Sequence, residues 1–285
     1  MVNKILVTGA TGFIGNYVIE ELLKYNVKII ATGNRSKEEI DTNKLEKVTY
    51  IHADLNERRT DWFSFFEEPN MLIHLSWQGL PHYKELFHIE RNLANNYFFL
   101  KNIIKNNCKK VVVIGTCFEY GMQSGAFMED LQTKPDNPYG LAKDTLRKYL
   151  EQLQTHVDFN LKWIRLFYMY GKGQNPNSIL SQLEAALERN DKVFNMSGGE
   201  QLRDYLPVEK VAEYIVKISL QDKISGIINC CSGNPISIRK LVENYLIEKN
   251  KSIELNLGYY EYPDFEPMAF WGDTNKLNRI INKNN

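Results

Sequence analysis

The chain opens with Lys4-Ile5-Leu6-Val7-Thr8 followed by Gly9-Ala10-Thr11-Gly12-Phe13-Ile14-Gly15. The first segment is a short apolar run typical of a buried strand, and an amphipathic stretch through Leu23 follows the glycines. In this context Gly9 permits a tight turn, Gly12 lets the backbone approach a pyrophosphate, and Gly15 allows close packing of helix on strand. The segment therefore predicts a dinucleotide-binding loop with free N–H groups at the start of a helix.

The same alternation of strand and helix continues along the first two-thirds of the chain. Apolar runs predict further strands at residues 27–31, 48–53, 71–75, 110–115 and 161–167, and helical patterns cover 86–106 and 139–153. Continuous apolar strands separated by helices are typical of a parallel sheet that is covered on both faces. We therefore expect an α/β fold with a Rossmann-type doubly wound sheet.

A change of pattern after Tyr170-Gly171 predicts a second region. Beyond it the strands become sparse and polar, near Val193, Tyr205 and residues 227–229. We expect a dinucleotide-binding domain over residues 1–170 and a smaller α/β substrate lobe over residues 171–285, with some segments returning to the first domain.

Composition excludes several classes of partner. The 285 residues carry 35 basic and 35 acidic side chains, which gives no reason to expect a nucleic acid or a membrane surface as partner. No apolar run approaches the roughly 20 residues that span a bilayer. The first strand starts within three residues, so we expect no signal peptide and a cytoplasmic protein. Neither the four cysteines nor the histidines are spaced along the chain as metal ligands usually are, so we expect free thiols and no metal.

Three residues predict proton transfer at a carbonyl or alcohol. Tyr139 and Lys143 lie one helical turn apart on one face, and Thr116 ends the fifth predicted strand. A tyrosine of pKa about 10 exchanges protons poorly at neutral pH, and a nearby ammonium favours its phenolate. We expect Tyr139 to donate the proton, Lys143 to tune it and hold the cofactor ribose, and Thr116 to bind the reacting oxygen.

The end of the second strand bears on the choice of cofactor. An acidic residue there would bind the adenosine ribose, but the chain reads Thr32-Gly33-Asn34-Arg35-Ser36. Arg35 could instead pair with a 2′-phosphate, or it could be an ordinary surface arginine. The segment favours NADP(H), with NAD(H) as the other possibility.

The remaining cofactor contacts are expected past the carboxyl ends of the strands. Asp54-Leu55 should meet the adenine, and Leu75-Ser76-Trp77 should border the nicotinamide ribose; Trp77 could also stack on a sugar or pack in the core. The cofactor-binding residues expected in all are Gly9, Thr11, Gly12, Phe13, Ile14, Gly15, Asn34, Arg35, Asp54, Leu55, Leu75, Ser76, Trp77, Asn92, Tyr139 and Lys143.

Taken together, these motifs resemble the extended short-chain dehydrogenase/reductases, the nucleotide-sugar epimerase/dehydratase group. Besides the glycine loop and the Tyr139/Lys143 pair, the resemblance includes Tyr120-Gly121, Arg165 before Tyr170-Gly171, residues 201–205 and residues 272–277. It covers nearly the whole chain. The resemblance implies a sugar-nucleotide substrate and a homodimer built on the helices near 90–106 and 139–153.

The resemblance also implies a substrate site in the smaller lobe. By similarity Arg203 should contact the nucleotide diphosphate, the other possibility being a surface salt bridge with Asp204. The substrate-binding residues expected in all are Gln78, Cys117, Phe118, Tyr168, Asn177 and Arg203.

Departures from the family pattern indicate which reaction to expect. Dehydratases of this group carry an Asp-Glu pair directly after the catalytic Thr, where this chain has Cys117 and Phe118. Glu119 comes one place later and would face the other way if the backbone stayed extended. Tyr168 stands where epimerases commonly have Asn, and the chain is short for an epimerase.

The hypothesis is a one-way NADPH-dependent 4-ketoreductase of a nucleotide-activated 4-keto-6-deoxy sugar, as in bacterial deoxysugar biosynthesis, and the expected nucleotide is dTDP. One alternative is a C4 epimerase with tightly bound NAD. Another is a dinucleotide-binding regulator without chemistry, although such regulators commonly lose the tyrosine or the lysine.

Overall fold

The computed structural model describes residues 3–36, 48–264 and 266–282. The strands are β1 (Lys4–Thr8), β2 (Lys28–Gly33), β3 (Val48–His52), β4 (Met71–His74), β5 (Lys110–Thr116), β6 (Gly125–Phe127), β7 (Asn160–Leu166), β8 (Tyr168–Tyr170), β9 (Val193–Asn195), β10 (Leu202–Pro207), β11 (Gly226–Cys230), β12 (Pro235–Ser237), β13 (Glu254–Asn256) and β14 (Phe270–Gly272). The α-helices are α1 (Phe13–Leu22), α2 (Trp62–Phe65), α3 (Ala94–Lys105), α4 (Pro138–Gln154), α5 (Ile179–Glu188), α6 (Val208–Leu220), α7 (Ile238–Glu248) and α8 (Asn275–Ile281).

Seven parallel strands form the central sheet in the order β11-β7-β5-β4-β1-β2-β3. The register is continuous across its centre, where Ile5 pairs with Ile29 of β2 and with Met71 of β4. Chain order reverses between β1 and β4, and in open α/β sheets the crevice beyond the carboxyl ends at such a point is the usual ligand site. The predicted doubly wound parallel sheet is confirmed.

Each face of the sheet is covered by its own set of helices because side chains alternate along a strand. In β1, Ile5 and Val7 pack into a core cluster with residues of α1, α6 and α8. Leu6, on the opposite face, packs with α2, α3 and α4. Apolar residues on both faces of β1 explain why its sequence reads as a continuous apolar run.

The carboxy-terminal part of the chain divides between the large sheet and smaller sheets. β11 pairs in parallel with β7 at the edge of the central sheet, and α6 lies in the same layer as α1. The smaller sheets have the orders β12-β10-β8, β13-β9 and β14-β6. A separate core cluster of α5 and α7 residues, including Leu183 and Val242, supports the first two of these.

Within the described ranges, no helix combines the length and apolar character needed to cross a membrane.

Candidate active site

The glycine loop joins β1 to α1 as the sequence predicts. Gly9 has a φ of +67°, and a Cβ there would lie 2.9 Å from the backbone nitrogen of Ser76. A Cβ on Gly15 would come within 2.1 Å of the Gly9 carbonyl oxygen, which shows how closely α1 packs against the loop. Gly12 is the N-cap of α1 and supplies no side-chain cap. The first N–H groups of α1 are therefore left for an anionic ligand.

A cleft of about 470 Å³ lies beside this loop at the carboxyl ends of β1 to β4. Its lining residues are Gly9, Thr11, Gly12, Thr32, Gly33, Asn34, Arg35, Ala53, Asp54, Leu55, Leu75, Ser76, Trp77, Gln78 and Gly79. Most of these were predicted to bind the cofactor; Gln78 was expected to bind the substrate, and Thr32, Gly33, Ala53 and Gly79 were missed. The missed residues lie within two positions of predicted ones, so the rule that ligands bind past the carboxyl ends of parallel strands could have found them.

Arg35 lies on the rim of this cleft with an exposed side chain. Its backbone is fixed because its carbonyl oxygen accepts a hydrogen bond from the Tyr50 hydroxyl at 2.6 Å. A Cβ at the nearby Gly33, the last residue of β2, would lie 2.6 Å from Oγ1 of Thr11, so a larger residue there would displace the Thr11 side chain. Asp54 is the one carboxylate among the described lining residues, and its Oδ1 accepts from Nδ2 of Asn56 at 2.8 Å.

The expected catalytic trio converges next to the cleft. Tyr139 and Lys143 lie in the first turns of α4. Its N-cap is Asn137, whose side chain accepts from the Gly140 N–H. Lys143 is buried, and its Nζ donates to the Ile114 carbonyl of β5 at 2.8 Å. Thr116 ends β5, and its side chain hydrogen-bonds Tyr139.

Burial dominates the electrostatics of this trio. It raises the pKa of Tyr139 well above its usual range, with Tyr83 adding to the rise and the Thr116 hydrogen bond opposing it. In the free protein this burial is the dominant effect on Tyr139, so the expected tuning by Lys143 stays a prediction. The pKa of Lys143 falls to about 7, also through burial. The phenol is thus a protonated donor, and the lysine is poised to change charge near neutral pH.

Aromatic rings enclose Tyr139. Its ring centroid lies 5.3 Å from that of His88, 5.5 Å from Tyr83, 6.0 Å from Trp77 and 6.2 Å from Phe118. Tyr83 and His88 were not predicted, because the loop that carries them reaches the site only through tertiary packing.

Glu119 does not face the site. Residues 117–120 form a 3₁₀ turn, so the condition of a continued extended backbone does not hold, and the Glu119 carboxylate accepts from the Thr116 N–H at 2.9 Å. It also accepts from Nε1 of Trp163 at 2.9 Å and from Nε of Arg165 at 2.7 Å. The conclusion that no acid–base pair directly follows Thr116 is unaffected, because this carboxylate is committed to a buried ion pair.

Arg203 pairs with a residue that the sequence did not single out. Its NH2 donates to Oε2 of Glu266 at 2.9 Å, and Tyr168 donates to the other carboxylate oxygen at 2.5 Å. The alternative of a surface salt bridge with Asp204 is wrong, since Arg203 is buried and Asp204 accepts backbone N–H groups, including that of Gly233 at 2.8 Å. Cys117 is also buried, and the Glu266 and Arg203 charges both act on its thiol.

Other predicted residues lie outside the cleft. Asn92 is buried, and its Nδ2 donates to the Gln78 carbonyl at 2.9 Å, which places it behind the cleft wall. Phe13 and Ile14 belong to the first turn of α1. Asn177 is exposed and lines a separate 430 Å³ cavity with Phe194 and Tyr260.

His74 links β1 to the cleft wall. Its Nδ1 accepts from the Thr8 hydroxyl at 2.8 Å, and its Nε2 donates to Oδ1 of Asn96 at 2.7 Å. The Thr8 oxygen in turn accepts from the Ser76 N–H at 3.4 Å. Burial lowers the pKa of His74 to about 3, so the ring is neutral, as expected for a satisfied core histidine.

The four cysteines are buried free thiols. In the described part of the chain, no group of three or more His, Cys, Asp or Glu side chains could hold a metal ion.

Comparison with known proteins places this geometry in a family. The sequence signature of the NAD dependent epimerase/dehydratase family matches residues 5–231. The chain belongs to this family.

Two curated proteins are similar to this chain over most of its length. The chain is 31% identical to dTDP-6-deoxy-L-talose 4-dehydrogenase (NAD(+)) of Aggregatibacter actinomycetemcomitans, over 94% of this chain and 98% of that protein. It is 25% identical to dTDP-4-dehydro-6-deoxyglucose reductase of Escherichia coli, over 87% of this chain and 83% of that protein. The solved UDP-N-acetylglucosamine 4-epimerase of Methanobrevibacter ruminantium M1 shares the fold, with a TM-score of 0.86 at 22% identity over 98% of this chain and 92% of that one.

Proposed function

We propose that this family member is an NADPH-dependent 4-ketoreductase of a nucleotide-activated 4-keto-6-deoxy sugar, with a dTDP-linked sugar as its substrate. One observation carries the proposal. Thr116, Tyr139 and Lys143 meet beside the cleft, while Glu119 is held in an ion pair with Arg165. The site can therefore protonate a carbonyl oxygen, but Thr116 has no free acid–base pair beside it for dehydration.

The residues of the cleft fit a nicotinamide dinucleotide. Gly9 and Gly15 stand where any Cβ would clash with the loop, and the uncapped start of α1 can take the pyrophosphate. Arg35 on the rim is placed to pair with a 2′-phosphate, which favours NADPH over NADH. When bound, the cofactor supplies the hydride for C4 of the sugar.

The protein supplies the proton and the orientation. Tyr139 is a fully protonated phenol in its aromatic enclosure, so it can donate to the C4 oxygen as that oxygen gains charge. Thr116, which hydrogen-bonds Tyr139, steadies the same oxygen. Lys143 holds the cofactor ribose at the cleft wall and lies one turn from the phenol that must be reprotonated.

The substrate lobe supports a nucleotide sugar. Tyr168, Glu266 and the buried Arg203 form a polar group next to Cys117, on the carboxyl side of β7. Two relatives bear names that describe the same carbon, one for oxidation at C4 of a dTDP-6-deoxy sugar and one for reduction of a 4-dehydro sugar. We propose that Arg203 and Glu266 together order the diphosphate end of the substrate.

A direct assay tests the proposal. Purified protein is mixed with dTDP-4-keto-6-deoxyglucose, made in place by a separate dehydratase, and oxidation of NADPH and NADH is followed at 340 nm. We expect NADPH to be consumed in proportion to the keto sugar, and Tyr139→Phe to abolish turnover while still binding cofactor. A Tyr139→Phe variant with unchanged turnover would contradict the assigned role.

The C4 epimerase remains the second candidate, because a relative 26% identical to this chain is named UDP-glucose 4-epimerase. An epimerase would retain NAD through purification and would consume no added NADPH. Acid release and chromatography of the bound nucleotide distinguish the two.

A further inference from the structure

Trp77 touches the catalytic lysine directly. The Lys143 Nζ lies 4.0 Å from the centroid of the Trp77 ring, while the same Nζ donates to the Ile114 carbonyl. An ammonium over an indole face is the most favourable cation–π pair, and it strengthens when water is excluded. An ammonium has three donors, so the carbonyl and the indole face take two directions and leave one for a ligand.

The indole is itself held in place by His88. Trp77 Nε1 donates to Nδ1 of His88 at 3.0 Å, and the His88 Nε2 lies 3.0 Å from the His82 carbonyl. Because an indole N–H can only donate and a carbonyl can only accept, His88 must be neutral with its proton on Nε2. Asn92 adds a second donor to Nδ1 at 3.3 Å.

The local backbone explains how this contact forms. His88 and Asn92 lie in a π-helical turn, His88–Leu93, that precedes α3, where the sequence predicted one continuous helix. Single π-helical turns often occur at functional sites. The turn directs both side chains towards the Trp77-Gln78 segment, since Asn92 also donates to the Gln78 carbonyl.

We propose that Trp77 is a positioning residue for Lys143: its indole face holds the ammonium at the cleft wall, and neutral His88 fixes the orientation of the indole. The proposal rests on the proposed function, because it assigns to Lys143 the cofactor ribose. It extends that function because Trp77 and His88 together stabilise the ammonium of Lys143 and orient it towards the cleft.

The charges around Lys143 are consistent with this role. Among the described residues, the acid whose charge acts on Lys143 is Glu119 from the turn after β5, and that carboxylate is hydrogen-bonded to Arg165. His74 of β4 and His88 are both neutral, since burial lowers their pKa and the Lys143 charge lowers it further. Tyr139 on the same helix is a protonated phenol. The indole face is thus the stabilising contact that a single substitution can remove without touching the ion pair.

Cofactor binding across pH tests the proposal without any sugar substrate. Dissociation constants for NADPH are measured by calorimetry from pH 5 to 9 for the wild type, Trp77→Phe, Trp77→Leu and His88→Leu. His82→Gln is the matched control, because the His82 side chain is exposed and the residue hydrogen-bonds His88 through its backbone carbonyl, which the substitution keeps. In the wild type, binding should weaken as the pH rises through the pKa of Lys143, because the ammonium is lost.

The variants should move the midpoint of that curve. We expect Trp77→Leu to lower the pH midpoint of NADPH binding by about one unit. His88→Leu should lower this midpoint too, and Trp77→Phe should lower it less. His82→Gln should leave it unchanged. Folding is checked by circular dichroism. If Trp77→Leu does not fold, the midpoints of Trp77→Phe and His88→Leu test the proposal.

Two results would overturn the inference. If the Trp77 and His88 variants weaken NADPH equally at every pH, Trp77 is only a wall of the cleft, and the proposed function stands without it. If the wild type binds neither NADPH nor NADH, the proposed function fails, and this inference fails with it.

Discussion

Glu119 and Arg165 form a buried ion pair beneath the site, with Oε2 of Glu119 2.7 Å from Nε of Arg165 and side chains 0% and 1% exposed. Two ions removed from water must be well hydrogen-bonded to persist. Here the carboxylate also accepts from Thr116 and Trp163. The pair therefore fixes the end of β5, and with it Thr116.

Breaking this ion pair should lower the stability of the folded protein. We expect Glu119→Gln to lower the free energy of unfolding by about 3–5 kcal/mol, because Arg165 is left buried without a counter-charge. Glu151→Gln is the control, since Glu151 pairs with Arg147 but is 40% exposed, and it should cost less than about 1 kcal/mol. Urea denaturation measures the free energy of unfolding of both variants. Equal losses would show that the buried ion pair stabilises the fold no more than the exposed one.

Arg35 should decide the cofactor. Arg35→Asp should weaken NADPH by roughly 10- to 100-fold, the range of a charge-assisted hydrogen bond, and leave NADH within a few-fold. Arg58→Asp is a matched control, since Arg58 is exposed and lies outside the cleft. Michaelis constants for both cofactors test this, and equal losses for NADPH and NADH would remove the basis for preferring NADP.

Stability should fall in mild acid because of His74. Its pKa is about 3 when folded and about 6.5 when unfolded, so the unfolded chain binds the extra proton below pH 6.5. The stabilising contribution is complete above pH 6.5 and is lost as the pH falls towards 3. Between pH 6.5 and 5 the loss from this group should be about 2 kcal/mol.

A substitution isolates that contribution. His74→Gln should be less stable at pH 7 but should lose less stability between pH 6.5 and 5 than the wild type. His156→Gln, at an exposed position, is the control. His88, whose pKa is also lowered, contributes in the same direction in all three proteins. An unchanged pH slope in His74→Gln would show that His74 is not the group that titrates.

The family resemblance predicts a homodimer through α3 and α4. Both helices present large exposed side chains, with Phe98 57% and Tyr149 46% exposed. We expect Tyr149→Glu to shift the protein to a monomer in light scattering. Ile247→Glu on α7, where Ile247 is 74% exposed, should leave the mass unchanged. A wild-type protein that is already monomeric would refute the prediction.

Local signals account for what the sequence predicted. Strand β1, the glycine loop and the one-turn spacing of Tyr139 and Lys143 depend on neighbours in the chain, so their roles can be read from short segments. The end of β5 shows the limit of such reading. A Thr116 capping interaction turned residues 117–120 into a 3₁₀ helix, and with it redirected Glu119.

Long-range contacts account for what was missed. Glu266 meets Arg203 across 63 residues, and no periodicity or motif marks it. His88 becomes part of the site only because the loop from β4 folds back onto Tyr139. The π-helical turn depends on hydrogen bonds to Trp77 and Gln78, which a helical pattern in the sequence does not encode.

The position of the transferred hydride tests the central claim most directly. Protein, dTDP-4-keto-6-deoxyglucose and NADPH deuterated at the reactive C4 position are incubated, and the sugar product is examined by NMR. A 4-ketoreductase places one deuterium on C4 of the sugar for each NADPH consumed. A C4-inverted product without deuterium, formed with no NADPH consumed, would contradict the account and assign the protein as an epimerase.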